Sequence, residues 1–475
     1  MAFRVSPGVN FSEIDATQRV APVATSDAAI AAGFQWGPAD IVTTVTGESD
    51  LAEVFGEPDT DTAVNWLTAA SFLAYSNSLQ VIRTVDSTAK NAVSDVATTM
   101  GVVTDIQLLA GGTGYTAGGA ESTTVSPAGG TGLTVATTVV SNVITAISVT
   151  AGGSGYEPGQ IVTVATGSGG TATIEAVTAG GSVASILIEN EDIFDSALPS
   201  TTGAFFARYP GSMGDSLRVS IYHDGTFANW AEDFIVNGVT TPVDYSGLFD
   251  RAPDTSNHVL TRNGNTSIND EVHLVVVDAD GKFSNTPGTV LERYAHLSLV
   301  QDSKDEQGNS NYILDVIRQN SKYIYATGQW NEVTVDFDGS TATNWEDKNS
   351  TSTTVFNTLG TPYSVDLSGG VVDNSSSGSG SNSAGVRYDS GNGKGYAILR
   401  DTEQVDVSII IAGEATNALQ INLIDNVAEY RKDAVVTISP STDAAKAAII
   451  GTGIQTTKAS AVTDWLGSSG INKSS

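Results

Sequence analysis

The hexapeptide A-G-G-T-G-Y at residues 110–115 returns as A-G-G-S-G-Y at residues 151–156, an offset of 41 residues (151 − 110). Each copy follows a run that alternates apolar and polar side chains, residues 103–109 and 143–149, and is followed by more alternation broken by glycine. Alternation is the period of a strand with one buried face, and glycine marks the turns, so the offset predicts a duplicated β-hairpin unit. Residues 98–190 are therefore expected to form an all-β insertion whose ends lie close together, because a mixed helix and strand pattern stops before it and resumes after it.

That mixed pattern defines the host. Behind a Pro58-Asp59 lead-in, Trp66, Ala69, Ala70 and Leu73 fall at i, i+3, i+4 and i+7, which predicts a helix over residues 60–76 with one buried face. Residues 79–85, 216–222 and 273–278 read as strands, and residues 290–299 and 311–319 as helices. These elements predict an α/β body in two pieces, 23–97 and 191–340. Further on, residues 407–412 read as a buried strand and residues 434–439 as the next one. Between them Thr416 caps a helix that buries Leu419, Leu423, Ile424 and Val427, and a β-α-β unit of this kind makes its strands parallel. Residues 341–395 are set apart by a core, 375–383, of almost pure Ser, Gly and Asn. Such a composition buries too little apolar surface to offset ordering entropy, and it predicts a flexible surface loop. The expected fold class is α/β multidomain: a mixed α+β body with a β-α-β unit near the C-terminus, carrying an inserted all-β repeat domain.

With 475 residues the chain is long enough for about three domains. It has no cysteine, so disulfides and thiol chemistry are excluded, in keeping with assembly in a reducing cytoplasm. No run approaches the ~18 apolar residues of a membrane span, and the start lacks a secretory signal. Twenty-two basic against fifty-three acidic residues give a formal charge of −31, which repels phosphate backbones and argues against direct nucleic-acid binding.

The motifs that suggest chemistry fail on spacing. G-N-G-K-G at residues 391–395 resembles a phosphate loop, but Tyr388 stands where the leading glycine belongs and Gly395 where the hydroxyl belongs, so a flexible loop is expected. After Ile411 the turn offers only Gly413, too little for a dinucleotide pyrophosphate. Asp278, Asp280 and Gly281 open like a calcium loop, but Lys282 and Thr289 occupy ligand positions, and a hairpin turn at Asp280-Gly281 is expected instead. His223, His258, His273 and His296 lack metal spacing and are expected to be isolated. Arg431, Lys432 and Asp433 sit at a helix end, where cations complement the dipole. No catalytic residue, no cofactor-binding residue and no metal ligand is proposed, and the chain is not expected to be an enzyme.

Residues 6–15 read S-P-G-V-N-F-S-E-I-D, a turn signal at Pro7 and Gly8 followed by alternation and no nearby partner strand. An unpaired strand is marginal in water, so residues 1–22 are expected to be an arm that pairs with something distant, another subunit included. Its contact residues are Pro7, Gly8, Val9, Phe11, Glu13, Ile14 and Asp15. This opening, with G-F-Q-W-G-P (33–38), V-F-G-E-P (54–58), L-Q-V-I-R-T-V (79–85), A-R-Y-P-G-S-M-G-D-S-L-R-V-S (207–220), N-D-E-V-H-L-V-V-V-D (269–278), G-T-V-L-E (288–292) and Y-R-K-D-A-V-V-T-I-S-P (430–440), resembles contractile tail sheath proteins of myovirus-type bacteriophages. The resemblance implies a structural subunit of the virion tail, made and assembled in the host bacterial cytoplasm. Its implied partners are further copies of itself in helically stacked hexameric rings, the tail tube protein, and baseplate and tail terminator proteins, with no cofactor, no nucleic acid and no membrane. It also implies that the repeat insertion faces outward, and that residues 396–475 begin an α/β domain whose tube-facing remainder lies outside this chain. A β-rich adhesin or receptor-binding protein, a sheath of a related contractile injection system, and a sugar-acting enzyme are the other readings.

Overall fold

A computed structural model describes residues 27–94, 102–116, 120–126, 131–154, 161–178, 186–196, 204–223, 227–264, 268–327, 349–351, 356, 363–440 and 455–471. Three larger β-sheets account for most of the strands among them.

The first sheet has five strands in the order Thr43–Val45, Leu79–Arg83, Ala28–Ala32, Ile409–Ile411, Val435–Thr437. The central strand, A-A-I-A-A, is buried along its whole length and runs parallel to both neighbours. A parallel strand covered on both faces has no polar side, which is why it reads as a continuous apolar run. Ala28, Ile30 and Ala32 face the helix Ala63–Leu73, through Trp66, Ala69 and Leu73. Ala29 and Ala31 face the opposite way, onto Leu419, Leu423 and Val427. Those residues come from a helical stretch that begins at Asn417, capped by the Thr416 hydroxyl accepting from the Leu419 N–H at 3.3 Å, and ends at Lys432 with φ 63°. Ile409–Ile411 and Val435–Thr437 on either side of it are parallel, as the β-α-β pattern predicts.

The second sheet has seven strands, in the order Thr289–Ser298, Glu271–Asp278, Leu217–Tyr222, Tyr363–Ser368, Val93–Ser94, Phe205–Ala207, Ile324–Ala326, all paired antiparallel. Three expectations are corrected by these two sheets. Residues 28–83 share their sheet with residues 409–437, and of the piece 23–97 only Val93–Ser94 joins strands from 191–340. Side-chain periodicity reports which face is buried and says nothing of a partner some 380 positions away. The segment expected as a helix over 290–299 is strand through Ser298, and its alternation is broken by two register shifts against Glu271–Asp278, one of them at His296, whose φ is 54°. The stretch 363–395 is not a flexible loop: Tyr363–Ser368 lies in the middle of the seven-stranded sheet, and Asn374, Ser381, Asn382 and Ser383 are buried.

The third sheet comprises six antiparallel strands, in the order Val102–Thr113, Ser168–Thr178, Ile161–Val164, Ala120–Ser126, Thr131–Val140, Val143–Ser154. Adding 41 carries Val102 to Val143 and Ala120 to Ile161, so the first three strands map onto the last three with their order reversed, the signature of a pseudo-twofold. Its apolar cluster, which includes Ile106, Tyr115, Leu133, Val135, Ile144 and Val162, draws on this stretch alone. Val102 pairs with Thr178, which brings the two ends of the stretch side by side. The second glycine hexapeptide continues into residues outside the described ones.

Candidate functional site: the joint between two sheets

A dense set of side-chain hydrogen bonds lies where the five-stranded sheet meets the seven-stranded one. Arg83, the last residue of its strand, is fully buried. Its Nε donates to the carbonyl of Phe34 at 3.0 Å, Nη1 to Gly37 at 2.8 Å, and Nη2 to Gln35 at 3.2 Å and Pro210 at 2.6 Å. A planar fork of N–H donors can satisfy several divergent carbonyls at once, which a lysine ammonium cannot. Burial lowers the guanidinium pKa to about 9, which leaves it charged at neutral pH. The loop it gathers carries Trp36 into the core of the other sheet, edge-on to Tyr209 at 5.4 Å and Phe283 at 5.0 Å between ring centroids. Gly37 permits this path: its φ is 98°, and a side chain there would meet the Val54 carbonyl at 2.7 Å. The Trp36 N–H donates to the Phe55 carbonyl at 3.1 Å. Four of the stretches that carry the sequence resemblance, 33–38, 54–58, 79–85 and 207–220, thus converge on one joint.

The Ser/Asn-rich segment closes it. Asn382 Oδ1 accepts from the Gly33 N–H at 2.8 Å and from Asn65 Nδ2 at 3.1 Å, while its Nδ2 donates to the carbonyls of Asn374 at 2.6 Å and Asp61 at 3.4 Å. The Ser381 carbonyl accepts from Thr84 Oγ1 at 2.8 Å, and Ser381 Oγ from the Asp86 N–H at 3.0 Å. Small polar side chains here replace apolar burial with hydrogen bonds to backbone that would otherwise be orphaned. Arg387 repeats the device on the far face, fully buried and donating to the carbonyls of Ala31 at 2.7 Å, Ala412 at 2.7 Å and Glu414. Arg431 does so at the helix end, to Leu399 and Val405, with Asp433 as counter-ion at 2.9 Å.

The motifs that suggested chemistry are taken up structurally. Asp278 is buried, and its carboxylate accepts from Ser216 Oγ, the Phe283 and Ser284 N–H groups and Ser284 Oγ, fixing the connection that contains Asp280 and Gly281. Residues 391–395 are not a flexible loop: they turn a hairpin between Tyr388–Asp389 and Lys394–Gly395 around the Asp389 carboxylate, and Lys394 pairs with Asp40 at 3.3 Å and with Glu189. His273 and His296 are not isolated, their rings lying 4.5 Å apart. His273 is buried, with burial pulling its pKa down to about 4, and its Nδ1 accepts the N–H of the bulged His296 at 3.0 Å. His296 bridges Glu271 at 3.0 Å and Asp250 at 3.1 Å, and the Glu271 contact above all raises its pKa. Among the described residues no group of three or more His, Cys, Asp or Glu is arranged to hold a metal ion.

The arm residues Pro7, Gly8, Val9, Phe11, Glu13, Ile14 and Asp15 lie outside the described residues. What an extended segment could meet is visible: Val435–Thr437 is an edge strand of the first sheet, with Val435 68% exposed. Sequence reading missed Arg83, Arg387 and Asn382 as joint residues. Arg83 did leave a signal, a cation directly after Val81 and Ile82 at the end of a strand pattern.

No protein-family model matches the chain. Over 89 residues it is 44% identical to the tail sheath protein of Vibrio phage KVP40, and over 89 residues 44% identical to that of Enterobacteria phage T4. Over 94 residues it is 38% identical to the tail sheath protein of Salmonella phage ViI. Each match covers 18 to 20% of this chain and 13 to 15% of the relative's length, and the matched residues are related to phage tail sheath proteins. Crystal structures of sheath tail proteins from Listeria innocua (TM-score 0.32, 10% identity, 86% of this chain and 45% of that one) and Desulfitobacterium hafniense (0.29, 9%, 97% and 61%) are also similar, at scores too low to carry an argument. Among the described residues no helix is long and apolar enough to cross a membrane.

Proposed function

We propose that this chain is a structural subunit of a phage contractile tail sheath, a non-enzymatic building block that polymerises around a tail tube and shortens to drive it through the host envelope. The observation that carries this is the 38 to 44% identity to three tail sheath proteins. The joint supports it: a subunit that stores and releases energy through its lattice must move as a rigid body, and the buried fork of Arg83 with the Asn382 bonds ties two sheets into one. In this reading copies assemble as stacked hexameric rings in the host cytoplasm, with tube, baseplate and terminator proteins as further partners. The self-contained sheet of residues 102–178 is the outward-facing inserted repeat domain.

The arm connects the subunits. Ordering about six residues costs roughly 1 to 2 kcal/mol each, which strand hydrogen bonds near 1 kcal/mol about offset. Val9, Phe11 and Ile14 each contribute about 1.5 to 3 kcal/mol once a neighbouring sheet covers them, and this burial decides the balance. Deleting residues 1–15 is expected to leave the monomer's melting temperature unchanged and to abolish the large species that the full chain forms in sedimentation velocity. Loss of the folded monomer on truncation would place the arm in its own core and sink the exchange.

A further inference from the structure

Resting on the sheath reading, we infer that the outer face of the helix Ala63–Leu73 is an interface against a second copy of this chain. Its inner face, Trp66, Ala69, Ala70 and Leu73, is buried against the first sheet. The outer face is apolar as well: Val64 is 49% exposed, Leu67 55%, and Tyr75, just past the last turn, 94%. Ser71 and Ala74 lie on the exposed side between them. On this uncharged outer side the Thr68 and Ser71 hydroxyls are turned back onto the Val64 and Leu67 carbonyls, and a helix with large apolar side chains on both faces is normally covered on both.

The charge pattern says by what. Between Asp61 and Arg83 there is no Asp, Glu, Lys or Arg, in a chain whose formal charge is −31. Two copies of so acidic a molecule repel wherever their carboxylates face each other. A face that carries no charge escapes this repulsion. A basic partner would be met by a carboxylate-rich face, and this helix offers it nothing, whereas a second copy gains by covering Val64, Leu67 and Tyr75.

The chain has no cysteine, so Leu67→Cys in the full chain gives a single site for an environment-sensitive dye. As concentration rises through the assembly threshold seen by sedimentation, the dye emission should shift to the blue and iodide quenching should fall several-fold. A dye at Ser376→Cys, an exposed position, should not respond. Val64→Asp with Leu67→Asp should raise the threshold at least about tenfold without lowering the melting temperature. A chain that assembles while the dye at position 67 stays exposed, or a double variant that assembles at the parent's concentration, overturns this interface and leaves the sheath reading standing. A dye already protected in the monomer overturns it in favour of cover by the chain's own segments. A chain that stays monomeric at every concentration overturns both.

Discussion

Replacing Arg83 with Ala is expected to destabilise the protein by about 4 kcal/mol, since each buried carbonyl left without a donor costs roughly 1 to 3 kcal/mol. Three lose theirs at once, Gln35, Gly37 and Pro210, while the Phe34 carbonyl keeps the Asn374 amide at 3.4 Å. Arg83→Lys keeps the charge but reaches fewer of these carbonyls, and about half the loss is expected to remain. Denaturant unfolding followed by tryptophan fluorescence is suited to this, since Trp36 lies in the loop that Arg83 holds. The same variant should release the two sheets from each other before either unfolds, seen as earlier proteolysis near residues 34–37. A loss below about 1 kcal/mol would show that water reaches these carbonyls and that the fork is not what joins the sheets.

Asn382→Ala should cost roughly 2 to 3 kcal/mol, because the Gly33 N–H and the Asn65 amide lose a buried acceptor and the Asn374 carbonyl a donor. Asn382→Asp, nearly identical in shape, separates packing from hydrogen bonding. It keeps both acceptor contacts but turns an oxygen toward the Asn374 and Asp61 carbonyls, so it is expected to be at least as damaging as Ala at neutral pH and milder in acid, where a protonated carboxyl can donate. Ser376→Ala, a few positions away and exposed, should stay within about 0.5 kcal/mol. Equal and small effects at Asn382 and Ser376 would restore the reading of this segment as a loop without a structural task.

Those two residues show where the sequence is legible and where it is not. Periodicity located the helix behind Trp66, Ala69, Ala70 and Leu73, because burial against one sheet is a local property of one face. The Thr416 cap and the parallel strands around it were legible for the same reason. Residues 375–383 misled because the composition argument counts apolar area, whereas this segment is ordered by bonds from Ser381 and Asn382 to Thr84, Asp86 and Gly33, some 300 positions away. Residues 290–299 misled because two register shifts against Glu271–Asp278, one at Ala295-His296 and one at Leu291, interrupt the alternation. The contact of His273 with His296 follows from the first of these shifts and leaves no mark in the spacing of the histidines.

Residues 33–38, 54–58, 79–85 and 207–220 meet at the joint, where the Arg83 fork, the Trp36 ring contacts and the Trp36 N–H bond to Phe55 hold the two sheets together.

Electron microscopy of the purified full chain, concentrated from the monomer, tests the central claim most directly. The sheath reading predicts hollow tubes or stacked rings with sixfold symmetry, absent from the chain lacking residues 1–15. Isolated monomers at every concentration, or separate trimeric fibres of the kind an adhesin forms, would contradict it.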